Sequence, residues 1–172
     1  MPGMTFDDLT PAELAELRKP LMDLYVACFS EPPWSEKQPQ IYADVIDKHL
    51  TQPGLTIIAA REGAELVGII YGSPAPATLP DDPFHNTVPA SARPHMVAPA
   101  VGVNELMVHP GHQRKGIGRE LLTRYMKGRS AGWLVTHPEA EARALYDSAG
   151  WQPGETFDNH RDEPRVFYFY QA

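Results

Sequence analysis

Apolar side chains recur at helical spacing near the start of the chain, where Leu14, Leu17, Leu21, Leu24 and Tyr25 fall on one face. Thr10-Pro11-Ala12-Glu13 precedes them as a capping box with proline at the first helical position. This predicts a helix over 11–29 that Pro20 kinks or splits, because proline lacks an N–H and crowds the preceding turn. Glu31-Pro32-Pro33-Trp34 reads as a loop, and Ser35 with Gln38 as the cap of a second helix running to residue 50. Pro53-Gly54 then breaks the chain, and the period changes from helical to β. Two β-branched, apolar runs, 56–61 and 66–71, flank Glu62-Gly63-Ala64 as a hairpin. Residues 73–100 carry seven prolines and no periodicity, so they read as an insert without regular structure, functional or mobile. Along 101–109, Val101, Val103, Glu105 and Met107 share one face while Leu106 and Val108 take the other. Apolar residues on both faces mark a central strand. A helix follows from Gly116, with Ile117, Leu121, Leu122, Tyr125 and Met126 as its buried stripe. A short strand at 133–136 comes next, then a helix over 138–149 with Ala142, Leu145, Tyr146 and Ala149 on its apolar face. Gly150 stops that helix, and an aromatic strand at 166–170 ends the pattern.

Strands and helices so interleaved predict an α/β fold with a mixed sheet. The length of 172 residues suits one domain, 1–172, with no linker and no internal repeat. No apolar run approaches the roughly 18–20 residues that span a bilayer. The segment MPGMTFDDLT lacks the basic and apolar regions of a secretory signal. Cys28 is the only cysteine, so an internal disulfide is excluded and a reducing, cytoplasmic setting fits. Cys28 falls on an apolar helix face and reads as a structural residue. The seven histidines show no ligand spacing, and no metal is expected.

Charge sharpens the picture through its distribution. A net charge of −7 argues against a general nucleic-acid binder. Yet residues 112–129 hold Arg114, Lys115, Arg119, Arg124, Lys127 and Arg129 against the single acid Glu120. A basic island in an acidic protein suits a polyanionic ligand, or else is a solvated helix face. The island coincides with Gln113-Arg114-Lys115-Gly116-Ile117-Gly118, between a predicted strand and a predicted helix. A helix start offers unpaired N–H groups and partial positive charge. Glycine admits a phosphate close to the main chain, and Arg and Lys add charge-assisted hydrogen bonds. The run is not a Walker loop, because Ile117 and Gly118 stand where Lys and Ser or Thr are needed. Nor is it the dinucleotide fingerprint, whose third glycine is replaced by Leu121.

The run Glu105-Leu106-Met107-Val108-His109-Pro110, followed by Gln113-x-x-Gly116-x-Gly118 and Leu121-Leu122, resembles the GCN5-related N-acetyltransferases. So does Ala142-x-x-Leu145-Tyr146-x-x-x-Gly150-Trp151 downstream, in the same order and spacing. The resemblance is close over 101–151 and looser from Leu9. It implies the acyl-CoA N-acyltransferase fold, a central mixed β-sheet flanked by about four helices. It also implies acetyl-CoA as cosubstrate, with direct transfer from thioester to amine. Carried over by position, the main chain of Met107 and Val108 would pair with the pantetheine arm. Gln113, Arg114, Lys115, Gly116, Ile117, Gly118 and Arg119 would hold the pyrophosphate, and Tyr146 would lie near the sulfur. Glu139 stands where the family often has asparagine.

Three residues are then candidates for catalysis. Attack needs a neutral amine, and at a pKa near 10.4 only about one lysine-like amine in a thousand is neutral at pH 7. Glu105 is the candidate base, directly or through water, because a carboxylate on an otherwise apolar strand is uncommon. By resemblance the Met107 N–H would stabilise the oxyanion, and Tyr146 would protonate the departing thiolate. The acceptor site is drawn from Trp34, Glu36 and Glu105, with the 73–100 insert as a lid. Glu31, Glu36, Asp81 and Asp82 would attract a polyamine, an aminoglycoside-like sugar or a basic peptide end. A non-catalytic acyl-CoA sensor and an interaction module with a basic helix stay open as alternatives, as does a homodimer.

Overall fold

The computed structural model describes residues 3–34 and 40–172. Seven strands form one sheet in the order β1-β2-β3-β4-β5-β7-β6, and among the described residues six α-helices accompany it. The chain divides into two units, Met1–Ser73 with Asn104–Lys127, and Pro74–Val103 with Gly128–Ala172.

The first unit opens with β1 (Met4–Leu9), a strand absent from the hydrophobic reading. Its outward Thr5, Asp7 and Asp8 make it look like loop in isolation, and only pairing with β2 (Thr56–Glu62) makes it a strand. The Thr10 capping box forms as expected: Thr10 Oγ1 accepts from the Glu13 N–H at 3.1 Å, and Glu13 Oε1 accepts from the Thr10 N–H at 3.0 Å. The predicted first helix is two, α1 (Pro11–Glu16) and α2 (Arg18–Phe29), divided at Leu17. Pro20 therefore sits in the first turn of α2, where a missing N–H would have had no intrahelical partner anyway. The break precedes the proline and the helix accommodates it. Helix α3 (Gln40–His49) matches the second predicted helix in its body. The Ser35 and Gln38 cap and Glu36 lie outside the described residues. The hairpin forms from β2 and β3 (Glu65–Pro74), with a bulge between Ala60 and Arg61. The cluster Leu14, Leu21, Leu24, Tyr42, Ile46, Ile57, Ile69, Tyr71 and Met107 joins α1, α2 and α3 to the sheet.

Strand β4 (Val101–Val108) begins in the second unit and ends in the first. From it the chain passes through a 3-10 turn (Pro110–His112) into α5 (Ile117–Met126), which buries Ile117, Leu121, Leu122 and Tyr125 as its spacing predicted. Gly68 on β3 faces this packing. A Cβ there would meet the Met107 carbonyl at 3.2 Å, Ile117 Cγ2 at 3.3 Å and Leu121 Cδ1 at 3.3 Å.

In the second unit, β5 (Ala131–Thr136) pairs in parallel with β4 at Val101 and Gly102, and antiparallel with β7 (Pro164–Gln171). Strand β6 (Gln152–Asp158) pairs antiparallel with β7 and has no clear alternation of its own, because Pro153 and Gly154 interrupt its pattern at a bulge. The helix predicted over 138–149 is shorter, α6 (Ala142–Ser148). Before it, Ala140 and Arg143 close three-residue turns onto His137 and Ala140.

The insert is not the unstructured segment that its prolines suggested. It contains α4 (Pro83–Thr87), with Pro83 following an Asp82 cap, and a 3-10 turn at Arg93–His95. Val88, Ala92 and Met96 are 5%, 2% and 1% exposed and pack with Phe167. Freeing the insert would expose Val88 and Met96, at about 1.5–3 kcal/mol for each such side chain. Its middle is a fixed part of the second core.

Candidate functional site

The candidate anion cradle follows directly from β4. Between the 3-10 turn and α5, Arg114 adopts φ +63° and Gly116 φ +81°, both left-handed. Gly116 is the N-cap of α5, and its carbonyl accepts the first helical bond from Glu120 at 3.0 Å. No side chain caps this end, so the first N–H groups of α5 stay available to a ligand. A left-handed arginine is uncommon and costs about 1–2 kcal/mol; such strain gathers at binding loops. Gln113, Arg114, Lys115 and Gly116 are exposed, whereas Ile117 is buried and anchors the helix. The predicted loop residues thus lie at the surface between β4 and α5. Gln113 also has a task that the sequence did not show: its Nε2 donates to the Val108 carbonyl at 3.2 Å, tying the loop back to the strand. Further along α5, the Arg124 guanidinium donates to Glu120 at 2.7 Å and lies over the Phe6 ring at 4.8 Å. Part of the basic island thus serves packing within this unit.

Main-chain direction along β4 bears on the expectation for Met107. The His109 N–H donates to the Val67 carbonyl on β3 at 2.8 Å, and the Met107 carbonyl lies toward Gly68 on the same strand. Main-chain groups alternate sides along a strand, so Met107 and His109 turn theirs to β3. Leu106 and Val108 turn theirs to the other edge. Met107 is itself a core side chain, 1% exposed. The Val108 carbonyl already receives Gln113 Nε2 and, at 3.4 Å, the Cys28 thiol. Burial first, and the negative charge of Glu105 second, push the Cys28 thiol up to about 12. It is a held proton donor and not a nucleophile.

Glu105 is half-buried on the face of β4 that also carries Met107. Its charge acts on a group of side chains that sequence reasoning did not connect. The Tyr42 and Tyr71 hydroxyls are 2.7 Å apart, and Tyr71 Oη is 2.9 Å from His49 Nδ1. Burial raises both tyrosines, with Glu105 adding to the effect. Burial also lowers His49 to about 4, so its ring is neutral at pH 7. The available signal was a tyrosine in each apolar stripe, whose buried hydroxyl must find a partner.

The other predicted residues fall as follows. Trp34 is half-buried, with its ring 5.0 Å from Phe29. Glu36 lies outside the described residues. Asp82 caps α4 and contacts His85 Nδ1 at 2.8 Å, and Asp81 accepts from Asn86 at 2.9 Å. These two acids hold the insert together. In the second unit, Tyr146 is 5% exposed on α6, its ring 5.4 Å from Tyr168 and 6.2 Å from Trp151. Arg143 donates to Tyr168 Oη at 3.0 Å, and that hydroxyl donates to Asp147 at 2.9 Å, which fixes α6 on β7. Glu139, at the position where the resembling family often has asparagine, is exposed.

The fold is shared with solved acetyltransferases of low sequence identity. An acetyltransferase from Thermus thermophilus superposes with a TM-score of 0.68 at 14% identity, covering 98% of this chain and 97% of its own. The ribosomal-protein-S18-alanine N-acetyltransferase of Escherichia coli gives 0.62 at 14%, covering 98% and 93%. The Salmonella typhimurium protein yncA, solved with acetyl-CoA, gives 0.58 at 17%, covering 98% and 94%. No curated protein matches the sequence. The model of the acetyltransferase (GNAT) family matches residues 18–151, a span holding β4, the left-handed loop and both motifs, and the chain belongs to that family.

Proposed function

We propose that this protein is an acetyl-CoA-dependent N-acetyltransferase acting on a primary amine. The observation that carries this is the loop at Arg114 and Gly116, left-handed at both residues, which leads from β4 into the uncapped start of α5. Its main-chain N–H groups from Arg114 to Gly118, with Lys115 and Arg119, fit a pyrophosphate. Gln113 keeps the loop against Val108. The Salmonella typhimurium neighbour solved with acetyl-CoA supports that ligand in this fold. Bound acetyl-CoA supplies an acetyl group activated as a thioester.

The protein's own residues would do the rest. Glu105 takes the proton that keeps most amines unreactive at pH 7, directly or through one water. The Leu106 and Val108 main chain, turned to the edge away from β3, orients the acyl arm and offers N–H groups to the carbonyl oxygen. Tyr146 is the proposed donor to the leaving sulfur, on the strength of its place in the second motif. The acceptor includes an amine on a small molecule or a peptide.

Two measurements test this. Saturating CoA should raise the melting temperature, and Gly116→Asp, which sets a carboxylate at the cradle, should abolish the rise. Thiol release from acetyl-CoA should appear with at least one member of a broad amine panel, and Tyr146→Phe should lower kcat about a hundredfold. No stabilisation by CoA would overturn the reading. Unchanged turnover in a folded Tyr146→Phe protein would remove the acid role alone.

A further inference from the structure

Helix α6 is too short to hold its own position. It has seven residues and no side chain caps its start, whereas isolated helices below about 12 residues are marginal in water. Its place on the sheet is therefore set by tertiary contacts. Arg143 Nη1 donates to the Pro138 carbonyl at 2.7 Å, holding the turn that leads into the helix. Arg143 Nε donates to Tyr168 Oη at 3.0 Å, and Tyr168 Oη donates to Asp147 Oδ1 at 2.9 Å. Arg143 and Asp147 stand about one turn apart on α6, so a single hydroxyl of β7 grips the helix at two points. One contact would let the helix roll about its axis. Two contacts, on a cation and an anion, oppose rolling and sliding together. Tyr168 faces α6 because alternate residues of a strand turn to opposite faces, and its neighbours Phe167 and Phe169 pack with the insert.

Tyr146 lies within this grip. It follows Arg143 by three residues, so it leans to the same side of the helix. Its ring is 5.4 Å from the Tyr168 ring, tilted by 54°. The Trp151 N–H donates to the Tyr146 carbonyl at 3.0 Å, which closes the end of the helix beside it. The Tyr146 hydroxyl stands at the far end of its side chain, so a small roll of α6 becomes a larger displacement of that oxygen. Misplacement by about 1 Å can cost on the order of a hundredfold in rate. Tyr168 is not itself the proton donor. A phenol has one hydrogen, which Tyr168 gives to Asp147 while its oxygen accepts from Arg143. Charge on both partners strengthens the two bonds.

We propose that Tyr168 is a positioning residue, its hydroxyl holding α6 between Arg143 and Asp147 so that Tyr146 is set to protonate the departing thiolate. This rests on the acetyltransferase reading above and its acid role for Tyr146. As the C–S bond breaks, its electron pair goes to sulfur, the Tyr146 O–H proton follows, and the tyrosinate recovers a proton from solvent. The test follows thiol release from acetyl-CoA by the full chain with spermidine, kanamycin, tryptamine and a lysine-containing peptide, and uses the amine of highest turnover. Tyr168→Phe, which removes one oxygen, should lower kcat about tenfold and leave KM for acetyl-CoA within about twofold. Added to Tyr146→Phe it should cause no further loss, because the placement of a ring without its hydroxyl no longer matters to proton transfer. Asp147→Ala, at an exposed residue, should lower kcat similarly, whereas Asp147→Asn still accepts a hydrogen bond and should keep most of the activity. That pair carries the test if Tyr168→Phe does not fold. An unchanged kcat in folded Tyr168→Phe or in Asp147→Ala would overturn the proposal. So would an equal loss with and without the Tyr146 hydroxyl, which is the mark of a purely structural role. Each of these results leaves the acetyltransferase reading standing, whereas absence of thiol release with all four amines would overturn both.

Discussion

Burial of His49 makes the stability of this protein depend on pH through one ring. Its pKa is lowered to about 4 by burial, against about 6.5 in an unfolded chain. Between these values the unfolded state binds a proton that the folded state refuses, so stability rises with pH across that window. The contribution is complete above about 6.5 and is lost progressively down to about 4. At 1.36 kcal/mol per unit, acidification from pH 7 costs about 2 kcal/mol by pH 5 and about 3 kcal/mol by pH 4. Tyr71 is the group in contact, at 2.9 Å from Nδ1; it carries no charge in this range, so it does not offset the cost of an imidazolium. Urea unfolding at half-unit steps from pH 7.5 to 4.5 measures the dependence. His49→Gln keeps a hydrogen-bonding group near Tyr71 but does not titrate, so its curve should be flatter by these amounts. The exposed carboxylates titrate alike in both proteins and cancel in the difference. A stability difference between the two proteins that stays constant from pH 7 to pH 5 would refute the reasoning.

Two further substitutions test the backbone of the site. Gly116→Ala should destabilise by about 1 kcal/mol, a drop of about 2–4 °C in melting temperature for a chain of this size. A Cβ there meets nothing within 4 Å, so the cost is conformational alone. CoA affinity should fall with it, and an unchanged melting temperature would mean that the loop does not need a left-handed residue. Gly68→Ala has opposing terms, because alanine is the better strand residue but its Cβ would press on Met107, Ile117 and Leu121 at 3.2–3.3 Å. Overpacking of this kind costs about 1–3 kcal/mol, so a net loss in urea unfolding is expected. A gain would show that α5 can move away from the sheet freely.

Local features carried much of this protein in the sequence. The capping box at Thr10, the hairpin around Gly63, the stripe of α5 and the glycines of the anion loop each depend on neighbours a few residues apart. So does the pair of motifs that pointed to the family. What failed depended on partners distant in the chain. Strands β1 and β6 have weak patterns of their own and exist because β2 and β7 satisfy their main chains. The insert gained a buried face from Phe167, far along the sequence. A side-chain pattern cannot show which edge of β4 each main-chain group faces. The hydrogen bond from His109 to Val67 shows that edge for His109. The same holds for Glu105, which the sequence marked as an unusual carboxylate. Folding brought its charge to bear on Cys28, Tyr42 and Tyr71, contributed by α2, α3 and β3. Sequence determines the chemistry a residue can offer, because that is covalent. The field and the partners it meets are set by packing, which is long-range.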